Sequence, residues 1–148
     1  GERVGNVQLD QLMVNLKLQG VIDTDLSPLS GLVDLVSRVM EWPVPVAYPV
    51  FGRDAFRTGT GVHAAAVIKA LKKGDPLLAD QIYSGVPASW FGREQEIEVG
   101  PMSGNSNILY WLHKNGFKGT EDEIQRIREA AKNTNKILSQ EELLAIMS

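Results

Sequence analysis

A chain of 148 residues, of which 43% are hydrophobic and 22% charged, is long enough to fold around a hydrophobic core of ordinary domain size. Its net charge of −3 is not typical of proteins that bind nucleic acid or an anionic membrane surface, and no apolar run approaches the ~18 residues that span a bilayer. Because cysteine is absent, disulfides, thiolate metal sites and thiol catalysis are excluded. From the net charge and the short apolar runs we expect neither a nucleic-acid nor a membrane partner. The lack of cysteine is compatible with the cytoplasmic location that we expect.

Two amphipathic helices are predicted in the first 40 residues. Asn6 can cap the first, and Gly20 is placed to end it. The second begins after Ser27-Pro28, since proline is favoured in a first helical turn, and Trp42-Pro43-Val44-Pro45 stops it. The apolar positions with helical spacing are Leu9, Leu12, Met13 and Leu16 in the first helix, and Leu32, Val33, Leu35, Val36, Val39 and Met40 in the second. The proline-rich segment to Phe51 is predicted to be extended or irregular.

A glycine-punctuated turn, Gly59-Thr60-Gly61, leads into an alanine-rich helix that carries His63 near its start. Glycine permits positive φ or a close backbone approach, and a helix start offers unpaired N–H groups to a ligand. This placement is typical of a histidine at the mouth of a cleft. The other interpretation is a half-buried histidine that closes the helix start. The helix is expected to run to about Lys73.

A helical hairpin is predicted next, because Gly74 ends the first helix and Asp75-Pro76 can begin another. Tyr83-Ser84-Gly85-Val86-Pro87 breaks that helix. Ile97 and Val99 alternate with glutamates, which predicts one short strand. Ser103-Gly104-Asn105-Ser106 resembles a phosphate-binding turn, but a plain cap for the helix at 107–115 is the simpler interpretation.

The last third contains two capping boxes, Thr120 with Glu123 and Ser139 with Glu142, each opening a helix. The fold class expected for the whole chain is therefore mostly α, with one or two short strands. His113, beside Tyr110 and Trp111, is interpreted as a packing or surface histidine.

Two motifs resemble one enzyme family. Gly1-Glu2-Arg3-Val4-Gly5-Asn6 is similar to the signature that closes the catalytic barrel of 2-isopropylmalate, homocitrate and citramalate synthases. Phe51-Gly52-Arg53-Asp54-Ala55-Phe56 with Thr60-Gly61-Val62-His63 resembles the segment just beyond that barrel. The resemblance implies the end of a (β/α)₈ barrel followed by C-terminal helical linker subdomains. Its segments are the barrel end at 1–20, a helix and proline-rich linker at 21–50, linker subdomain I at 51–100 and linker subdomain II at 101–148.

The resemblance also implies site residues. His63 matches the family's catalytic histidine, and Tyr83 stands in the place of the tyrosine that assists it. Asn6 would be a metal ligand, although from the residues alone it is a helix cap. Thr60 and Arg57 would lie near the substrate, and whether Arg57 binds a carboxylate or a CoA phosphate is open.

The implied activity is an acetyl-CoA-dependent condensation with a 2-oxo acid on Mg²⁺, Mn²⁺ or Zn²⁺, in a homodimer. The overall resemblance favours 3-methyl-2-oxobutanoate as the 2-oxo acid, and hence a role in leucine biosynthesis. Homocitrate and citramalate synthases are the alternatives within the family. The family's other metal ligands and its oxo-acid pocket would lie upstream of Gly1, so we expect the 148-residue chain alone to be inactive. A purely structural dimerisation segment is the alternative outside enzyme function, and an unrelated helical binding module is a third.

Overall fold

The computed structural model describes residues 5–148, so the first four residues of the GERVGN motif lie outside the described part of the chain. Within residues 5–148 the fold has seven α-helices, one short 3₁₀ helix and one two-stranded sheet. The mostly α-helical fold class expected from the sequence is confirmed. No helix in this part of the chain has both the length and the apolar character needed to cross a membrane.

The helices are α1 (Leu9–Leu18), α2 (Leu29–Val39), α3 (Gly61–Lys72), α4 (Pro76–Gln81), α5 (Asn105–Lys114), α6 (Glu121–Lys132) and α7 (Gln140–Met147). The 3₁₀ helix spans Ala88–Phe91, and the strands are β1 (Arg57–Thr58) and β2 (Glu96–Ile97). Contacts group these elements into two compact units. Unit 1 contains the described residues through Phe56 together with Ser84–Glu94, and unit 2 contains Arg57–Tyr83 and Gln95–Ser148.

Unit 1 is built on α1, α2 and the irregular segment that follows them. Its buried core consists of Val14, Leu26, Leu29, Val50, Phe51, Phe56, Ala88 and Phe91. Arg93 ties the irregular segment to this core, because its guanidinium donates to the carbonyl of Val50 at 3.1 Å and lies 5.7 Å from the centre of the Phe56 ring. The proline-rich segment is thus held in place without pairing as a β-strand.

The ends of α1 and α2 test the first two helix predictions. Gly20 follows α1 with φ of 69°, and α2 begins directly after Pro28, as predicted. The cap assigned to Asn6 is wrong. Gln8 is the N-cap of α1, and it makes no side-chain capping bond. An N-cap side chain reaches only the second or third residue of its helix, and Asn6 lies two residues too early.

Unit 2 contains the α3–α4 hairpin and the last three helices. The larger of its two cores consists of Val99, Ile108, Trp111, Leu112, Ile124, Ile127, Ala131 and Leu143, and the smaller of Val67, Ala70 and Ala79 with Ile97 packed against them. Both capping boxes are confirmed, with Thr120 N–H donating to the Glu123 carboxylate at 2.6 Å and Ser139 N–H to that of Glu142 at 2.9 Å.

The sheet of unit 2 is parallel, with Arg57 opposite Glu96 and Thr58 opposite Ile97. The strand at Ile97 was predicted, whereas β1 was not. Two residues carry no alternating pattern, and their pairing depends on a partner almost 40 positions away. The two compact units do not coincide with the four segments expected from the sequence, whose correspondence to a barrel end and two linker subdomains stays a prediction.

Candidate functional site

His63 and Tyr83 meet at one end of the α3–α4 hairpin. His63 is the third residue of α3, and Tyr83 follows the last turn of α4. Because two hairpin helices run in opposite directions, the start of the first lies beside the end of the second. The imidazole and phenol ring centres are 4.2 Å apart, and the ring planes are tilted by 31°.

Small buried side chains allow the hairpin to close. Ala70 on α3 and Ala79 on α4 are almost fully buried beside Val67. The turn between the helices is fixed by Asp75, whose carboxylate accepts from the Leu78 N–H at 2.9 Å. These contacts set the separation of α3 and α4, and with it the point where His63 reaches Tyr83.

The pair is open to solvent. His63 is exposed, and Tyr83 keeps 49% of its surface accessible. An imidazole has one nitrogen that donates and one that accepts in its neutral form, and a phenol hydroxyl does both. Together they offer an accessible proton donor and acceptor on a rigid hairpin, which is the chemistry that general acid–base catalysis requires.

Arg57 lies on β1 and already has carboxylate partners within unit 2. Its guanidinium forms an ion pair with Glu98 and lies 3.8 Å from a carboxylate oxygen of Glu96. A substrate carboxylate or a CoA phosphate would have to compete with these groups. Thr60, the other residue expected near the substrate, is the N-cap of α3, and its side chain makes no capping bond.

Two side chains that the sequence interpretation missed hold the turn before α3. Ser103 and Asn107 both donate to the carbonyl of Gly59. The run at 103–106 was interpreted as a helix cap, and α5 does begin at Asn105 after Gly104. An asparagine in the first turn of a helix is the only signal that the sequence offers, because the burial of Asn107 is not visible from the residue type alone.

Comparison with known proteins places these motifs in a family. No protein-family model matches the chain. It is 28% identical to the (R)-citramalate synthase CimA of Methanocaldococcus jannaschii over 99% of its length. It is 31% identical to the homocitrate synthase AksA of Methanothermobacter thermautotrophicus over 92%, and 30% identical to a probable 2-isopropylmalate synthase of Methanopyrus kandleri over 86%.

The chain belongs to the family of citramalate, homocitrate and 2-isopropylmalate synthases. The family resemblance seen in the sequence motifs is thus confirmed. The aligned regions make up 29%, 33% and 24% of these three relatives, so the chain spans at most a third of the length of each. Which member of the synthase family it corresponds to is not distinguished by these identities, which differ by only a few per cent.

The metal ligand expected from the family, Asn6, is exposed and lies in unit 1. Among residues 5–148 no group of three or more histidine, aspartate or glutamate side chains could hold a metal ion. A single amide oxygen does not make a divalent-cation site, since such ions take four to eight ligands. The described residues therefore do not fit a metal centre by themselves.

Proposed function

We propose that this chain is the region of an acetyl-CoA-dependent synthase that follows the catalytic barrel, and that it supplies His63 and Tyr83 to the condensation with a 2-oxo acid. The observation that carries the proposal is the exposed pair of His63 and Tyr83 rings, whose centres are 4.2 Å apart. A histidine with only a packing role gains nothing from exposure, whereas an acid–base residue must be reached by substrate. The full-length relatives are synthases by name, which supports this class of reaction.

The condensation requires several proton movements. A methyl proton leaves acetyl-CoA, the resulting carbon forms a bond to the keto carbon, and the keto oxygen takes up a proton. Water then cleaves the thioester, and the CoA thiol leaves. His63 exchanges a proton with the reacting atoms, and the Tyr83 hydroxyl donates to or orients a water. The family resemblance also implies a divalent metal, most of whose ligands would be supplied by residues outside this chain.

The proposed 2-oxo acid is 3-methyl-2-oxobutanoate, which gives 2-isopropylmalate and a role in leucine biosynthesis. Pyruvate and 2-oxoglutarate, the acceptors implied for the citramalate and homocitrate alternatives, differ from it in size and charge. A branched alkyl group gains about 1–3 kcal/mol per methylene-sized contact in an apolar pocket, whereas 2-oxoglutarate needs a cation for its second carboxylate. Release of the CoA thiol, measured with each acid in the intact synthase, decides among them. A kcat/KM highest for pyruvate or 2-oxoglutarate would overturn the proposed acceptor.

The catalytic role is tested by His63→Ala in the intact synthase. A removed acid–base group lowers kcat by about 10²–10⁴-fold, while KM for the 2-oxo acid changes little. Tyr83→Phe keeps the ring and removes the hydroxyl, so its kcat falls less. Val62→Ala is the matched control, since Val62 precedes His63 on α3 and is 74% exposed. A His63→Ala enzyme with the parent kcat would remove the catalytic role.

A homodimer is part of the proposal, as the family resemblance implies. Unit 1 supports it with an exposed apolar face on α2, formed by Leu32, Leu35, Val36, Val39 and Met40. Beside this face lies a groove of about 590 Å³ between α1, α2 and residues 42–48. Burial, followed by the effect of Asp10, raises the pKa of the Tyr48 hydroxyl at the groove wall.

A further inference from the structure

The turn that leads into α3 is held by side chains from a distant part of unit 2. The carbonyl of Gly59 accepts from Ser103 Oγ at 2.7 Å and lies 3.3 Å from Asn107 Nδ2. Asn107 lies in the first turn of α5 and Ser103 two residues before that helix, each more than 40 residues along the chain from Gly59. Two donors on one carbonyl restrict its position more strongly than a single bond does.

The same side chains also hold the segment that follows β2. Asn107 Nδ2 donates to the Glu98 carbonyl at 2.8 Å, and the Gly100 N–H donates to Ser103 Oγ at 2.9 Å. The Asn107 side-chain oxygen accepts from the Gly104 N–H at 3.3 Å. We call Ser103 and Asn107 the polar clamp, because together they join the α3 turn, the end of the sheet and the first turn of α5.

Burial makes this network sensitive to the loss of any member. Asn107 is fully buried, and Ser103 is 8% exposed. A buried polar group that loses its hydrogen-bond partner still carries the cost of its desolvation, so neither side chain is a neutral choice at its position. The polar clamp therefore specifies where the α3 turn lies, beyond what core packing alone would fix.

Backbone contact removes the remaining freedom of the α3 start. The Gly61 N–H donates to the Met102 carbonyl at 3.0 Å. A Cβ atom on Gly61 would lie 2.7 Å from the nitrogen of Gly104, so the starts of α3 and α5 touch. His63 is two residues beyond this contact, and its ring must stay in register with Tyr83.

We propose that Ser103 and Asn107 are positioning residues for the His63–Tyr83 pair. The inference rests on the proposed function for its catalytic consequence, while its structural consequence is independent of it. Loss of a clamp bond lets the first turn of α3 shift, and the imidazole loses its fixed place over the Tyr83 ring. Misplacing a reacting group by about 1 Å costs as much as 10²-fold in rate.

The structural test uses the 148-residue chain and NMR of its two histidines. His113→Gln assigns the His63 Cε1–H signal, and Tyr83→Leu measures how far the Tyr83 ring displaces it. In Ser103→Ala and Asn107→Asp we expect the displacement to shrink towards the value in Tyr83→Leu. Asn105→Ala is the matched control, since Asn105 is exposed on the same helix and accepts from Arg128 instead. Circular dichroism verifies that each variant is folded. Ser103→Ala is the milder change, and it carries the test if Asn107→Asp does not fold.

The functional test uses the intact synthase. In Ser103→Ala we expect kcat to fall by roughly 10-fold to 10²-fold with little change in KM, and Ser103→Thr, which keeps the hydroxyl, to recover most of the loss. An unchanged His63 signal in folded clamp variants overturns the positioning inference, even if His63→Ala abolishes activity. A His63→Ala enzyme with full activity overturns the proposed function instead. A changed His63 signal in the clamp variants would then still support the positioning inference.

Discussion

The backbones of Gly52 and Tyr48 lie in direct contact. The Gly52 N–H donates to the Tyr48 carbonyl at 2.8 Å, and a Cβ atom on Gly52 would lie 2.5 Å from the Tyr48 nitrogen. This tight turn leads into the second stretch that carries the family resemblance, and it presents Val50 and Phe51 to the core of unit 1. No flexible side chain is available to move aside.

Gly52→Ala should therefore destabilise the 148-residue chain by about 1–3 kcal/mol or more, the cost of forcing atoms into a filled space. Urea unfolding followed by circular dichroism measures the change. Gly31→Ala is the control, because Gly31 lies inside α2 with open space around it and alanine is the better helix former by roughly 1 kcal/mol. Equal effects of the two substitutions would show that the contact at Gly52 relaxes at little cost.

The ion pair between Arg57 and Glu98 should contribute to folding. Both side chains are largely buried, with 19% and 13% of their surfaces exposed. Arg57→Ala leaves the Glu98 carboxylate without that cation, and we expect a loss of about 2 kcal/mol in the free energy of unfolding. Adding Glu98→Gln to Arg57→Ala should recover part of this loss, which a double-mutant cycle measures. Additive effects of the two changes would contradict the coupling.

A role of Arg57 in substrate binding gives a different result. If Arg57 binds the second carboxylate of 2-oxoglutarate, Arg57→Ala in the intact synthase should raise KM for that acid selectively. If the arginine acts through the Glu98 pair, the ratios of kcat/KM among the three 2-oxo acids should stay as in the parent. A selective loss with 2-oxoglutarate would assign Arg57 to the substrate and favour the homocitrate alternative.

The two capping boxes should make the stability of unit 2 depend on pH. The bond from the Thr120 N–H lowers the pKa of Glu123, and the bond from Lys136, followed by that from the Ser139 N–H, lowers the pKa of Glu142. A carboxyl whose pKa is lower in the folded state stabilises the fold above its unfolded pKa. That contribution is lost as the pH falls from the ordinary glutamate value of about 4.3 through the lower folded value.

The measurement is the urea midpoint of the 148-residue chain between pH 7 and pH 3. Glu123→Gln with Glu142→Gln removes both titrating groups, so the midpoint of this double variant should fall less on acidification than that of the parent. Glu94→Gln, at an exposed glutamate outside the capping boxes, is the control. Parallel pH curves for the parent and the double variant would contradict the prediction.

The apolar face of α2 should hold two copies of the chain together. Leu32 and Val36 are each about half exposed and lie one turn apart. Leu32→Ser with Val36→Ser should shift the chain towards the monomer in light scattering at high concentration. Leu144→Ser, at a similarly exposed leucine in α7, should leave the assembly unchanged. A parent chain that stays monomeric would show that this face does not mediate dimerisation.

Local rules of the chain determined most of the helices. The capping boxes at Thr120 and Ser139, the Asp75-Pro76 start and the glycine at position 20 each act within a few residues, so their signals are readable in sequence. The two family motifs also identified the family and singled out His63, and the resemblance implied Tyr83 by its position. Asn6 misled the interpretation because a good capping residue says nothing about where the first helical turn will begin.

Only the tertiary structure decided which distant groups meet. The parallel pairing of β1 with β2, the Arg57–Glu98 ion pair and the burial of Asn107 over the Gly59 carbonyl each join residues about 40 or more positions apart. No local periodicity encodes such contacts, because they depend on how packed helices bring chain segments together. The contact of His63 with Tyr83 depends likewise on the length and closure of the α3–α4 hairpin, which sets where the two rings meet.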